Sequence, residues 1–349
     1  MKKSLYGLLG LCVMAAGCGT GGGGGDDGAG GTATSLAPTS PTGAGQDNET
    51  TPSPNSVETT GNMEGTANDS GQVATPNYEV PMALTQPVPE TDPGGDAACP
   101  ADTLNTVRGW VADENGQGLA GAKAQVCVKM GEMTQCLQPV DTVADGTFTL
   151  ELGDNRCVTS AAFRVIQPGS DRSAMYCEIP MDKRDGTRLT LTQPMQLYPT
   201  TIAVDIPEEG DGLQVRTIKF SDGLEIDMIP LDGPGYADLA STTFAGVPAN
   251  LCFLDGKKTP QRTYAFSPDG GIYNGGAAFR VPNPDGLAVG TQVDFHVLGG
   301  LGCSDKDGNA IKEGDWFKLG TGTVDEQGIT PDDGLKLTCL TWLGITPQE

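Results

Sequence analysis

Histidine is almost missing from this chain of 349 residues: the only one is His296. Serine and cysteine triads need an imidazole base, and His296 lies in the alternating run Val293 to Leu298, where it reads as a strand residue. No G-x-S-x-G, H-E-x-x-H or P-loop pattern occurs. No C-x-x-C occurs either, which removes the usual zinc spacing. Aromatic residues make up 5% of the chain and leave few platforms on which a sugar could stack. A glycosidase needs only paired carboxylates, so a carboxylate-dependent hydrolase stays formally open. The other reading is a protein that is not an enzyme and holds no cofactor. The N-terminal apolar run, Leu5 to Ala16, is about a dozen residues long, whereas a spanning helix needs about 20. Positive charge is missing from Lys3 to Arg108. Long runs of period 3.6 are missing too, so helices are not expected to dominate.

The chain opens on Met1-Lys2-Lys3, the apolar run, and Ala15-Ala16-Gly17-Cys18. This segment resembles the lipobox of bacterial lipoprotein precursors, with Ala15 where that motif usually has leucine. The resemblance implies a signal peptide over 1–17, a mature chain beginning at an acylated Cys18, and a membrane contact through that lipid. Gly19, in place of aspartate, implies the outer membrane of a cell envelope. From 18 to 97 the chain is Gly, Thr, Ser, Pro, Asn and acidic residues, with Tyr78 as its one aromatic. Such a composition cannot bury enough apolar surface to offset backbone ordering, and its 11 acidic residues without a basic partner repel one another. A disordered linker reaching about 50 Å is expected.

Residues 98–349 carry 34 acidic residues against 19 Lys and Arg, a net charge of −15. That balance argues against nucleic acid as a partner. It also disfavours anionic lipid as a binding surface. An unidentified protein or carbohydrate ligand remains. Beyond Cys12 and Cys18 there are eight cysteines: Cys99, Cys127, Cys136, Cys157, Cys177, Cys252, Cys303 and Cys339. An even number in an oxidising compartment is expected to form disulfides.

Over 98–198, Val107-Arg108-Gly109-Trp110-Val111-Ala112-Asp113 leads to Gly118-Leu119-Ala120-Gly121-Ala122, and later comes Thr142-Val143-Ala144-Asp145-Gly146-Thr147-Phe148. Apolar residues alternate and Asn-Gly or Asp-Gly turns separate the runs, the period-two pattern of an antiparallel β-sandwich. The same residues resemble the carboxypeptidase regulatory-like domain, a transthyretin-like sandwich that serves as a non-catalytic accessory unit. Asp145 then belongs to a turn. If Gly131-Glu132 closes a hairpin, Cys127 and Cys136 oppose each other at a non-hydrogen-bonded position with Cα atoms about 4.5 Å apart, within disulfide range.

Over 199–349, Ile202 to Ile206, Val215 to Phe220, Leu224 to Ile229, Phe279 to Val281 and Val293 to Leu298 alternate with Asp-Gly and Pro-Gly turns, a second antiparallel β-sandwich. Phe266-Ser267-Pro268-Asp269-Gly270-Gly271, Phe279-Arg280-Val281-Pro282-Asn283 and Gly320-Thr321-Gly322-Thr323-Val324 occur in order. The series resembles a sandwich repeat of large bacterial surface proteins, and Trp342 reads as a core residue of it. Three cysteines here and five in the first module are both odd numbers, so complete pairing requires a bridge across the boundary. The loop Asp305, Asp307, Asn309, Glu313 and Asp315 offers oxygen ligands at alternate positions, a candidate for calcium, but Ala310 stands where an EF-hand needs glycine and Trp316 where it needs glutamate. The expectation is an all-β, lipid-anchored envelope protein displaying two disulfide-stapled sandwiches for binding, adhesion or structure. A periplasm-facing subunit of an assembly or secretion complex is the alternative.

Overall fold

The alternation of apolar residues is realised as strands throughout the computed structural model, which describes residues 78–86 and 103–348 apart from 131–132, 154–156, 159, 170, 249 and 255. The first half contains β1 (Thr106–Ala112), β2 (Lys123–Met130), β3 (Met133–Cys136), β4 (Val140–Asp141), β5 (Thr147–Glu151), β6 (Ser160–Ile166), β7 (Met175–Glu178), β8 (Arg188–Thr190) and β9 (Met195–Gln196). One sheet runs β5-β1-β8, with β9 also on β1; the other runs β3-β2-β6-β7, with β4 on β2. All pairs are antiparallel except β1 with β8 and β1 with β9. Those two reach β1 after the chain has crossed to the opposite sheet through β6 and β7, so they arrive in the same direction as β1.

Period two is visible in β1. Val107 and Val111 face the core between the sheets, whereas Trp110 and Ala112 join a separate cluster on the outer face. Gly109 has no side chain because the Phe148 ring crosses its inner face: a Cβ would lie 2.8 Å from Phe148 Cζ. The turn residues of the motif also meet in one place. The Gly146 carbonyl accepts from Val111 N–H (2.9 Å) at a φ of 79°, and a Cβ there would sit 2.2 Å from Val111 O.

The second half contains β10 (Thr201–Ile202), β11 (Arg216–Lys219), β12 (Glu225–Met228), β13 (Ala240–Ala245), β14 (Arg262–Gly271), β15 (Ala278–Arg280), β16 (Gln292–Leu298), β17 (Trp316–Val324), β18 (Ile329–Pro331) and β19 (Cys339–Pro347). Seven strands form the sheet β10-β13-β14-β19-β16-β17-β18, and β11-β12-β15 form a smaller sheet over part of it. Edge-to-face rings knit these layers, Phe220 to Phe266 at 6.1 Å and Phe279 to Phe295 at 5.0 Å.

The central strand β19 does not alternate between buried and exposed. Eight of its nine residues are buried, because both faces of the large sheet are covered. Leu343 and Ile345 enter the core of the second half, while Trp342 enters the core of the first together with Ala265, Leu298 and Trp316. The two halves therefore share a core.

Within the stretch expected to be a disordered linker, residues 78–86 form a docked segment with a single helical turn, α1 (Met82–Thr85). Tyr78, Val80 and Leu84 cover Trp110 and Ala112 on the outer face of β1. Tyr78 meets Trp110 edge-to-face at 6.0 Å. Arg108 donates to the carbonyls of Gln86 (3.2 Å) and Ala83. Three apolar side chains suffice here because Trp110 projects outward and would otherwise expose a large ring to water.

Candidate functional site

The polar groups that the fold gathers lie along the seam where the first half meets the second. β7 carries Tyr176, Cys177 and Glu178 on this seam, and the segment 299–315 comes against it closely enough that a Cβ on Gly314 would lie 2.6 Å from Glu178 N. Positive φ of 79° at Gly314 adds to the requirement for glycine.

Arg164 on β6 holds the carboxylate of Asp269, with Nη2 to Oδ1 at 3.2 Å and Nε to Oδ2 at 3.3 Å. The Tyr176 hydroxyl donates to the same carboxylate and accepts from Arg164 Nε at 2.9 Å and from Leu301 N–H at 3.4 Å. The ion pair is mostly out of water, with side-chain exposures of 18% and 9%. Burial, and then the Asp269 charge, push the Tyr176 hydroxyl well above its ordinary pKa, so it serves as a fixed donor. Asp269 reaches the first half because β14 bulges between Ala265 and Gly270, which turns this segment out of its ladder with β19. In sequence Asp269 lies 93 positions from Tyr176 and 105 from Arg164. Asp269 read only as a turn residue, and no local signal links it to Arg164.

Two further ties cross the seam. Cys177 and Cys252 form a disulfide with Cα atoms 5.6 Å apart. Lys312 pairs with Glu178 near the surface. Between them Trp342 Nε1 donates to Ala174 O at 2.8 Å, and Phe244, Phe253 and Tyr198 pack on the Trp342 ring at 5.6 to 6.0 Å spacings.

A cleft of about 510 Å³ opens along the seam, lined by Cys127, Ser160, Ala161 and Ala162 from the first half and by Gly300, Gly302, Cys303 and Ala310 to Glu313 from the second. Cys127 and Cys136 are paired across β2 and β3 and disulfide-bonded, with Cα atoms 3.8 Å apart. The expected turn, 131–132, lies outside the described residues. A carboxylate oxygen of Glu313 lies within 4.8 Å of both sulfurs. Oε2 of Glu313 is buried and has no hydrogen-bond partner among the described residues. Burial raises the Glu313 pKa above its ordinary value, against the pull of Arg164 and with the push of Asp269.

The remaining candidates are placed as follows. Cys303 and Cys339 form a third disulfide with Cα atoms 5.3 Å apart, and Cys157 is disulfide-bonded as well. Cys18 and Cys99 lie outside the described residues. The calcium candidates are not gathered into one site. Asp305 turns its carboxylate inward on its own loop, accepting from Asp307 N–H at 2.9 Å, Asn309 N–H at 2.8 Å and Asn309 Nδ2 at 2.9 Å. Asp307 pairs with Lys306, Asp315 pairs with Lys257, and Glu313 faces the seam. Alternate spacing brings ligands together only when the loop wraps an ion, and this loop closes on its own amides. Asp145 accepts from Thr147 N–H at 3.0 Å and Thr147 Oγ1 at 2.7 Å, which makes it a turn residue. His296 on β16 stacks on Trp316 at 5.8 Å with 8° between the planes, and burial lowers its pKa. Among the described residues no helix is long and apolar enough to cross a membrane.

No protein-family model matches this chain, the carboxypeptidase regulatory-like domain included, and no curated protein sequence matches it. Alignable solved structures include a streptococcal ancillary pilin, 7% identical over 70% of this chain and 53% of the pilin, with a TM-score of 0.21. They also include the Bacillus anthracis TIE protein, 12% identical over 70% of this chain and 44% of that one, with a TM-score of 0.20. BcpA, the major pilin subunit of Bacillus cereus, is 9% identical over 64% of this chain and 83% of that one, with a TM-score of 0.20. This chain spans about half the length of the first two. TM-scores near 0.2 carry no argument, and a functional reading has to rest on the residues of this chain.

Proposed function

We propose that this protein is a lipid-anchored component of a bacterial cell envelope that presents a rigid, non-enzymatic β head to an external protein or carbohydrate. The seam carries this reading. A disulfide, a mostly buried ion pair and a shared aromatic core hold the two halves so that they act as one body. An enzyme that closes on a substrate needs a hinge between its parts, whereas a display module gains from having none. The lipobox-like segment ending at Cys18 supplies the anchor, and the acidic, lysine-free stretch after it supplies the tether. The turn cluster of Asp145, Gly146 and Val111 supports the likeness of the first half to a carboxypeptidase regulatory-like unit. In this reading its motif residues build the sandwich and leave catalysis to none of them. Net negative charge keeps the head off an anionic lipid surface, so that the acyl chains are the membrane contact.

Protease treatment of intact cells tests where the head faces. Release of a fragment containing 103–348 supports outward display. Retention of the intact chain, with cleavage only after the outer membrane is permeabilised, would assign it to the periplasmic side. Mass spectrometry of native material is expected to find a lipid-modified Cys18 at the N-terminus, and an unmodified Cys18 with residues 1–17 attached would overturn the anchoring.

A further inference from the structure

The cleft beside the Cys127–Cys136 bridge holds three groups that a soft divalent cation takes as ligands. We propose that reduction of this bridge converts the cleft into a binding site for a thiophilic divalent cation of the zinc class, held by the two thiolates and the Glu313 carboxylate.

The two sulfurs and one Glu313 oxygen already lie within 4.8 Å of one another. In a tetrahedral zinc site, bonds of about 2.0 to 2.3 Å place ligand atoms roughly 3.5 to 3.8 Å apart. Separating the sulfurs and drawing in the carboxylate are therefore side-chain adjustments. Oε2 of Glu313 is buried and has no partner among the described residues, a costly state for a carboxylate that a cation would relieve. The cleft of about 510 Å³ admits a hydrated ion and leaves water for the fourth position.

Among the three bridges whose two cysteines are both described, this is the one whose opening the fold tolerates best. It spans 9 residues, against 36 for Cys303–Cys339 and 75 for Cys177–Cys252, so it constrains the unfolded chain least. The register does not depend on it: β2 stays paired with β6 from Lys123 to Lys129 and with β3 from Cys127 to Met130. Cys136 is part-exposed and Cys127, although buried, lines the cleft; both cysteines of Cys303–Cys339 are buried, and Cys177–Cys252 has one part-exposed member, Cys252.

The reductant is a thiol. Two thiol molecules supply two electrons and two protons, the Cys127–Cys136 bond breaks to two cysteine thiols, and the thiols leave as their own disulfide. The incoming M²⁺ then displaces both cysteine protons and forms two sulfur bonds and one oxygen bond.

Cobalt(II) titration of the full-length chain, reduced with excess thiol and desalted without oxygen, tests the proposal. The expected result is one Co²⁺ per chain, with thiolate-to-cobalt charge-transfer absorption and the strong visible bands of a tetrahedral site, displaced by Zn²⁺. The oxidised chain should show neither band. The double variant Cys127→Ser with Cys136→Ser, reduced in the same way, should lose the signal although its other cysteines are free. Glu313→Gln should keep the charge-transfer band and weaken binding by at least about tenfold, the cost of losing even a group that only supports a ligand. Far-UV circular dichroism of the reduced chain should stay strand-rich. Loss of that signal, absence of stoichiometric Co²⁺ binding, or binding that survives in the double variant would each overturn the proposal.

Discussion

Two half-buried titratable side chains, Glu313 and His296, set opposite slopes on the stability of this protein. The Glu313 pKa is raised by burial above its ordinary 4.5, so the folded state holds the proton more tightly than the unfolded chain. Stability from this group is present at low pH and falls as the pH rises past 4.5. Glu313→Gln is expected to raise the melting temperature of the oxidised protein at pH 7, with the gain shrinking toward pH 4. The His296 pKa is lowered from 6.5 by burial, only partly opposed by Asp294, so the unfolded chain takes up the proton first. Stability from this group is present above 6.5 and is lost as the pH falls below it. His296→Phe, which keeps a flat ring on Trp316, should flatten the stability profile between pH 5 and 7, and a profile unchanged there would contradict the assignment. Glycine at 146 answers a different demand, since a Cβ would meet the Val111 carbonyl at 2.2 Å and φ is 79°. Gly146→Ala is expected to cost about 3 kcal/mol in denaturant unfolding, at the upper end for a single substitution.

The docked segment 78–86 is held by a small set of contacts. Its apolar anchors are Tyr78, Val80 and Leu84 on Trp110 and Ala112, together with two Arg108 hydrogen bonds. Burying one leucine side chain contributes about 2 kcal/mol, enough to order a short segment and not enough to make it permanent. Leu84→Ala should therefore abolish hydrogen-exchange protection of the backbone N–H at position 84, which in the native chain is bonded to Pro81 O at 2.9 Å, while protection in β2 and β6 stays unchanged. The segment was not legible as an element. Tyr78 stood as a lone aromatic among polar residues, and only the outward Trp110 ring gives it something to cover. Strands were legible wherever one face meets water, as in β5 with its buried and exposed residues in turn. β19 departs from that pattern because it is covered on both sides.

For the whole molecule, the seam decides how the halves respond to damage. Asp269→Asn removes the charge opposite Arg164 in a mostly dry setting, and a loss of about 3 kcal/mol is expected. Disulfide removal should rank by loop length. Replacing Cys177 and Cys252 with serine frees a loop of 75 residues and should cost about 4 kcal/mol, against about 2.5 kcal/mol for the pair Cys127 and Cys136. Equal losses would mean that the unfolded chain is not what these bridges act on. The requirement for a cross-boundary bridge was legible from the odd cysteine counts of the two modules. Which cysteines meet was not, because Cys177 and Cys252 find each other only after β7 has been set against the loop that follows Asn250.

Sequence alone determined the all-β character, the turn positions, the Cys127–Cys136 pairing and the acidic, histidine-poor surface. These depend on local rules: side chains alternate every second residue, glycine takes positive φ at turns, and a tight hairpin fixes which residues face each other. Tertiary structure decided the shared core, the Arg164–Asp269–Tyr176 tie, the docking of 78–86 on Trp110, and the position of Glu313 under a disulfide rather than in a calcium loop. Each of these joins residues far apart in the chain, and such meetings follow from how sheets stack and where a strand bulges, which no local pattern encodes.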